Sequence, residues 1–196
     1  MCCFTGIYIY LAETIFSIVY NDTRLKGKYE NLKSQYSIEG IKDICKIINS
    51  ENSTHLRMHE LEAITEMIFK AYPTIIDFKN VLKAEDYTLV TKIRNLKNNP
   101  DDKKEKIRDN YSFATKFCHY SSYYLFNNEE DEEYRDMYPI YDSVVVRYIK
   151  GKEEYKNKDL YDYNNYVKTI DEIIGDNGIS RNGFDHLIWL AYRKQQ

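Results

Sequence analysis

Residues 110–149 read NYSFATKFCHYSSYYLFNNEEDEEYRDMYPIYDSVVVRYI. Tyr111, Ala114, Phe117 and Cys118 recur at spacings of three and four, the signature of an amphipathic helix rather than a strand. Tyr138-Pro139 then stops any helix, because proline lacks the N–H and constrains the residue before it. Asp142 is a good N-cap for a new helix carrying Val144 to Ile149 and closed by Gly151. The three valines Val144 to Val146 favour a strand instead. Stop and restart with no strand between them sets the expectation of an all-α chain.

The same spacing runs outward in both directions. Ile7, Leu11, Ile15, Ile18 and Val19 form one stripe, read as a buried helix. Ile38, Ile41, Ile44, Cys45 and Ile48 form the next, behind the cap Ser37. Leu56, Leu61, Ile64, Ile68 and Tyr72 make a third, started by Ser53 or Thr54 and stopped by Pro73. Ile75, Phe78 and Leu82, then Leu89, Val90 and Ile93, predict one broken helix or two short ones. Pro100 with Asp101 and Asp102 starts a helix that runs through Ile107 to Cys118. A helix from near Tyr161 to Ile174 ends at Gly175, and the last starts near Ser180 with Phe184, Leu187, Ile188 and Ala191 on one face. The expectation is a compact, multi-helix domain of eight to ten helices, either one domain over 1–196 or two lobes of about 1–100 and 101–196.

Composition agrees. The chain has 196 residues, 43% hydrophobic and 30% charged, with only seven Gly and three Pro. Such scarce turn residues suit long helices and argue against a many-stranded sheet. The four cysteines form no CxxC pair and no disulfide framework, and the apolar start is too short and too polar to span a membrane. A cytoplasmic protein is expected. Twenty tyrosines against one Trp is unusual. Tyrosines either fill the core in place of Phe and Leu or supply stacking surfaces for bases.

Net charge is −3, yet the run Glu129–Asp136 alone carries −5, so the rest of the chain sums to +2. From Lys92 to Arg108 seven basic residues face three acidic ones. Acidity is therefore read as a property of one loop, and charge leaves nucleic-acid binding open.

Two residues carry candidate chemistry. Asp142, at a helix start, places a carboxylate beside free N–H groups, where it can stabilise positive charge on a sugar ring or activate water; the alternative is an ordinary cap. Lys116 lies in the apolar run Tyr111–Cys118. A desolvated lysine becomes a neutral amine able to form a Schiff base, while the alternative is a side chain snorkelling from a helix flank.

Ala114-Thr115-Lys116, an intervening helix and Tyr138-Pro139-Ile140-Tyr141-Asp142 together resemble the centre of the helix-hairpin-helix DNA glycosylases. The segment Lys116 to His119, Pro139 to Ser143 and Leu187 to Leu190 also resembles a core found in small uncharacterised bacterial proteins. The resemblance implies Lys116 as nucleophile at the anomeric carbon, Asp142 as the carboxylate supporting base departure, and DNA as partner, with the target base flipped against Tyr120 or Tyr141. It implies no cofactor. The spacing of 26 residues between Lys116 and Asp142 exceeds the family's, with the acidic run as a loop insertion. The family's hairpin glycines are missing: Arg108 to Thr115 holds neither Gly nor Pro, leaving Asn110 for a left-handed turn and Ser112 for a cap.

Around this pair, His119 lies one turn from Lys116 as a base or a satisfied core residue, Ser143 follows the aspartate, and Arg147 either meets phosphate or pairs with the acidic run. His55 and His59 share a zinc-like i, i+4 spacing, but Leu56 stands where a metalloprotease needs Glu and no third ligand is marked, so no metal site is expected. The competing expectation is a non-catalytic helical module binding DNA or a protein partner.

Overall fold

The computed structural model describes residues 10, 11, 14, 23–51, 54–96 and 110–192. Every regular element among them is helical, with no strand, as the apolar spacing requires. Nine α-helices are present in the described residues: α1 Thr23–Ser34, α2 Ile38–Glu51, α3 Met58–Ala71, α4 Ile75–Lys83, α5 Thr88–Arg94, α6 Tyr111–Leu125, α7 Ser143–Lys150, α8 Tyr163–Ile174 and α9 Arg181–Tyr192. A 3-10 helix covers Glu129–Tyr134. None of the described helices is long and apolar enough to cross a membrane.

Local chemistry accounts for most boundaries. In α2 the stripe Ile41, Ile44, Cys45 and Ile48 is buried, and Ser37 Oγ accepts the Gly40 N–H at 3.2 Å. At α4, Thr74 and Asp77 exchange hydrogen bonds reciprocally, each satisfying an N–H that the first turn leaves open. Asp162 caps α8 through the Asn165 N–H, and Gly175 ends it at φ +50°, a conformation costly for residues with a Cβ.

Three expectations give way. The third stripe does not start at Thr54: residues 54–57 are non-helical and α3 begins at Met58, while Ser53 lies outside the described residues. Asn49 of α2 explains this, because its amide clamps the backbone of Leu56 from both sides, accepting its N–H at 2.8 Å and donating to its carbonyl at 3.0 Å. His55 is forced to φ +53° and leaves the helix, so it does not share a helix face with His59. Second, α6 starts at Tyr111 rather than at Pro100, with Asn110 as its N-cap; residues 97–109 lie outside the described set. Asn110 has φ −85°, not left-handed, and Ser112 sits inside the first turn rather than capping it. Third, the acidic run is not a free loop. It folds as a 3-10 helix whose Asp131 binds Lys79 and Lys83 of α4 at 3.0 and 2.6 Å. Of the first stripe only Leu11 is described, and it is exposed.

The valine-rich α7 is a helix after all. Its cap and the burial of Val144, Val145 and Ile149, on a helix packed against α9, outweigh a β-propensity worth at most about 1 kcal/mol.

α6 is the centre. It packs against α1, α2, α4 and α5, and eleven of its fifteen residues are buried. α9 packs against both α7 and α8. Buried apolar residues from α1 through α9 form one cluster, in which Tyr29, Tyr111, Tyr138 and Tyr166 are among the largest fully buried side chains. These four tyrosines serve the core.

Candidate functional site

Lys116 and Asp142 are brought together by a strap. After α6 ends, the chain turns through the 3-10 helix and returns along α6 as a segment without regular secondary structure, 138–142. One polar row on α6 receives it. Ser122 donates to the Tyr134 carbonyl, His119 Nδ1 donates to the Tyr138 carbonyl at 2.8 Å, and Thr115 Oγ1 accepts the Tyr141 N–H at 3.1 Å. These residues are spaced three and four apart, so they lie on one helix face. From the other side Tyr163 and Tyr166 of α8 donate to the Pro139 and Ile140 carbonyls at 2.8 and 2.7 Å. A buried segment thus has its successive carbonyls satisfied by side chains, as burial demands.

Running antiparallel to α6, the strap delivers Asp142 back toward the start of that helix, where Lys116 lies. Asp142 Oδ1 accepts the Val144 N–H at 2.7 Å and caps α7. A third group joins them from α9: Asp185. Lys116 is half-buried. Burial lowers its pKa, and the charges of Asp142 and Asp185 act against that shift. Burial raises the Asp185 carboxyl to about 8, Asp142 pushes it the same way, and Lys116 opposes. Asp185 keeps some exposure as a residue, but its Oδ1 is shut off from solvent and has no hydrogen-bond partner. Burial raises the buried Tyr166 phenol well above its usual value, with Asp185 and Asp142 adding to the shift. One amine and two carboxyls therefore interact across three helices, with a phenol of α8 beside them.

An aromatic wall borders this cluster. Tyr141 stacks on Tyr111 with centroids 4.1 Å apart and meets Tyr166 edge-on at 5.1 Å. The Arg94 guanidinium lies 4.2 Å from the Tyr111 ring and 3.5 Å from that of Tyr161.

The remaining sequence-predicted residues fall as follows. His119 is fully buried and held neutral, its pKa pulled down to about 3 chiefly by burial, while its Nδ1 fastens the strap. Tyr120 is half-buried, edge-on to His119. Ser143 is exposed at the first position of α7. Arg147 is exposed too, and among the described residues it makes no ion pair with the acidic run, whose Asp131 pairs with Lys79 and Lys83 of α4. Of the basic stretch Lys92–Arg108, Lys92 donates to the Tyr72 hydroxyl and Arg94 to the Tyr161 carbonyl, and 97–109 lie outside the described residues. Among the described residues no His, Cys, Asp and Glu group is arranged to hold a metal ion.

Sequence reasoning missed Asp185 and Tyr166. The signal for Asp185 was present: a lone acid between Phe184 and Ile188, both buried, on the last helix. A carboxylate on an apolar face is costly unless something meets it.

No curated protein and no solved structure matches the chain. One family model does, HI_0787_N, described as an N-terminal domain, over residues 7–131. That match covers well over half of the sequence and includes Lys116, while Asp142 and Asp185 lie beyond it, and on this evidence the chain belongs to the HI_0787_N family.

Proposed function

We propose that this protein is a DNA glycosylase with lyase character, in which Lys116 is the nucleophile and Asp142 the supporting carboxylate. The observation that carries the reading is a lysine whose pKa is lowered by burial and which feels the charge of the carboxyl that caps α7. A lysine of this kind is neutral in a larger fraction than a surface lysine and can attack an electrophilic carbon. Its amine attacks C1′ of a flipped nucleotide while Asp142 stabilises the positive charge that develops on the sugar. Resemblance to the helix-hairpin-helix glycosylases supports the same two roles. Tyr141 and Tyr120 then face the extruded base, His119 holds the strap, and phosphate is met by Ser143 at the start of α7 and by the exposed Arg147 of its last turn. A cytoplasmic location and DNA as partner belong to this reading.

Borohydride trapping tests it. Incubation with oligonucleotides carrying an abasic or modified nucleotide is expected to give a covalent adduct that Lys116→Ala abolishes. An adduct that survives Lys116→Ala removes the assignment.

One observation favours the rival reading of a non-catalytic module: Tyr111, at the start of α6 where a hairpin would grip phosphate, is buried and already stacked on Tyr141. That reading predicts salt-dependent retention on DNA, or a stable protein complex, and no adduct.

A further inference from the structure

We infer that Asp185 is the proton donor of the Lys116 site: it carries a proton through neutral pH and delivers it to the group that leaves as the Lys116 amine attacks. The donation step rests on the proposed lysine chemistry; the protonated state of Asp185 does not.

The argument is an asymmetry between two carboxyls. Asp142 sits at the N-terminus of α7, and its Oδ1 accepts the Val144 N–H at 2.7 Å. Asp185 lies within α9, away from the helix start, and its Oδ1 is out of solvent with no donor. Groups facing it are Lys116 from α6, Asp142 from the cap of α7 and Tyr166 from α8; on α9 itself the neighbouring His186 has its Nδ1 bonded to the Asn182 carbonyl. Two carboxyls beside a single amine do not both ionise readily in a partly dry site, so one proton stays. It stays on the acid whose Oδ1 is shut off from solvent without a donor. The raised pKa of Asp185, about 8, agrees with this placement.

The step balances. The neutral amine of Lys116 forms a bond to C1′ while the C1′–N bond to the base breaks, its electron pair leaving with the base. The Asp185 proton passes to that nitrogen, so the base leaves neutral and Asp185 becomes a carboxylate. The secondary ammonium now joining Lys116 to the sugar returns a proton to Asp185, and the acid is restored.

Two measurements test this. The first titrates selectively ¹³C-labelled aspartate carboxyls in the full wild-type chain, assigned by through-bond correlation. Asp185 is expected to titrate near pH 8, and Asp142→Asn to move it downward, since the Asp142 charge helps hold it up. An Asp185 carboxyl titrating near the ordinary value of about 4 overturns the inference. The second compares base release from base-bearing DNA with borohydride trapping on abasic DNA, which has no base to protonate. Asp185→Asn is expected to lower base release about a hundredfold more than trapping, the smaller end of what a lost general acid costs. Equal losses on both DNAs, or none, overturn the donor role and leave the Lys116 assignment standing. No adduct from wild type with either DNA overturns the lysine reading and the donation step together, while the titration still decides whether Asp185 holds a proton.

Discussion

Burial keeps the His119 imidazole neutral, and the Nδ1–H it then carries is given to the Tyr138 carbonyl. The unfolded chain binds a proton near pH 6.5, whereas the folded chain takes one up only near 3. Between those values the unfolded state holds more protons, so stability falls as pH drops from about 6.5 toward 3. One site bounds the slope at about 1.4 kcal/mol per pH unit. His119→Gln keeps a donor for the carbonyl but cannot titrate. It is expected to be less stable than wild type at about pH 7 and to close that gap at about pH 4.5, read from urea midpoints. A gap that stays constant with pH means that His119 contributes nothing to the acid limb.

Elements divide capping from chemistry at Asp142. An Asp→Ala change at an N-cap costs about 1 kcal/mol, whereas Asn caps as well as Asp. Asp142→Ala is therefore expected to lower stability by about 1 kcal/mol and Asp142→Asn to leave it nearly unchanged, while both lose adduct formation. Denaturant midpoints beside the trapping assay check this, and full trapping by Asp142→Asn means that the carboxylate only caps. The Asp142 cap was legible in the sequence because capping is a matter of a few neighbouring residues. The start of α3 was not, since the Asn49 amide that clamps Leu56 acts across a turn that no local pattern describes.

Across the whole molecule, the acidic run ties the strap to the last helix. Asp136 accepts the N–H groups of Arg181 and Asn182 at 2.6 and 2.9 Å, satisfying the open end of α9 from 45 and 46 residues away. The Arg181 guanidinium grips Asp171 of α8 and the Met137 carbonyl. α9 carries Asp185, so its seating sets one wall of the cluster. Asp136→Ala leaves two N–H groups without their acceptor and is expected to cost about 1–3 kcal/mol. Adduct yield is expected to fall with it. Loss of stability with unchanged yield would show that the seating of α9 does not govern the site. Reading the acidic run as a loop insertion missed this role, because net charge says nothing of which backbone a carboxylate reaches.

Apolar spacing and capping residues determine by themselves that the chain is helical, that a break falls at Pro139 and that Asp142 opens a helix. These are short-range matters, decided within a turn or two by sterics and by the N–H groups each helix start leaves open. Only the tertiary structure decided that Lys116 feels the charge of two carboxyls. That coupling hangs on side-chain hydrogen bonds spanning 12, 19 and 26 residues along the strap, and on the packing of α9 against α7 and α8. Contacts of that range depend on how the helices settle against one another, and no single stretch of sequence records it.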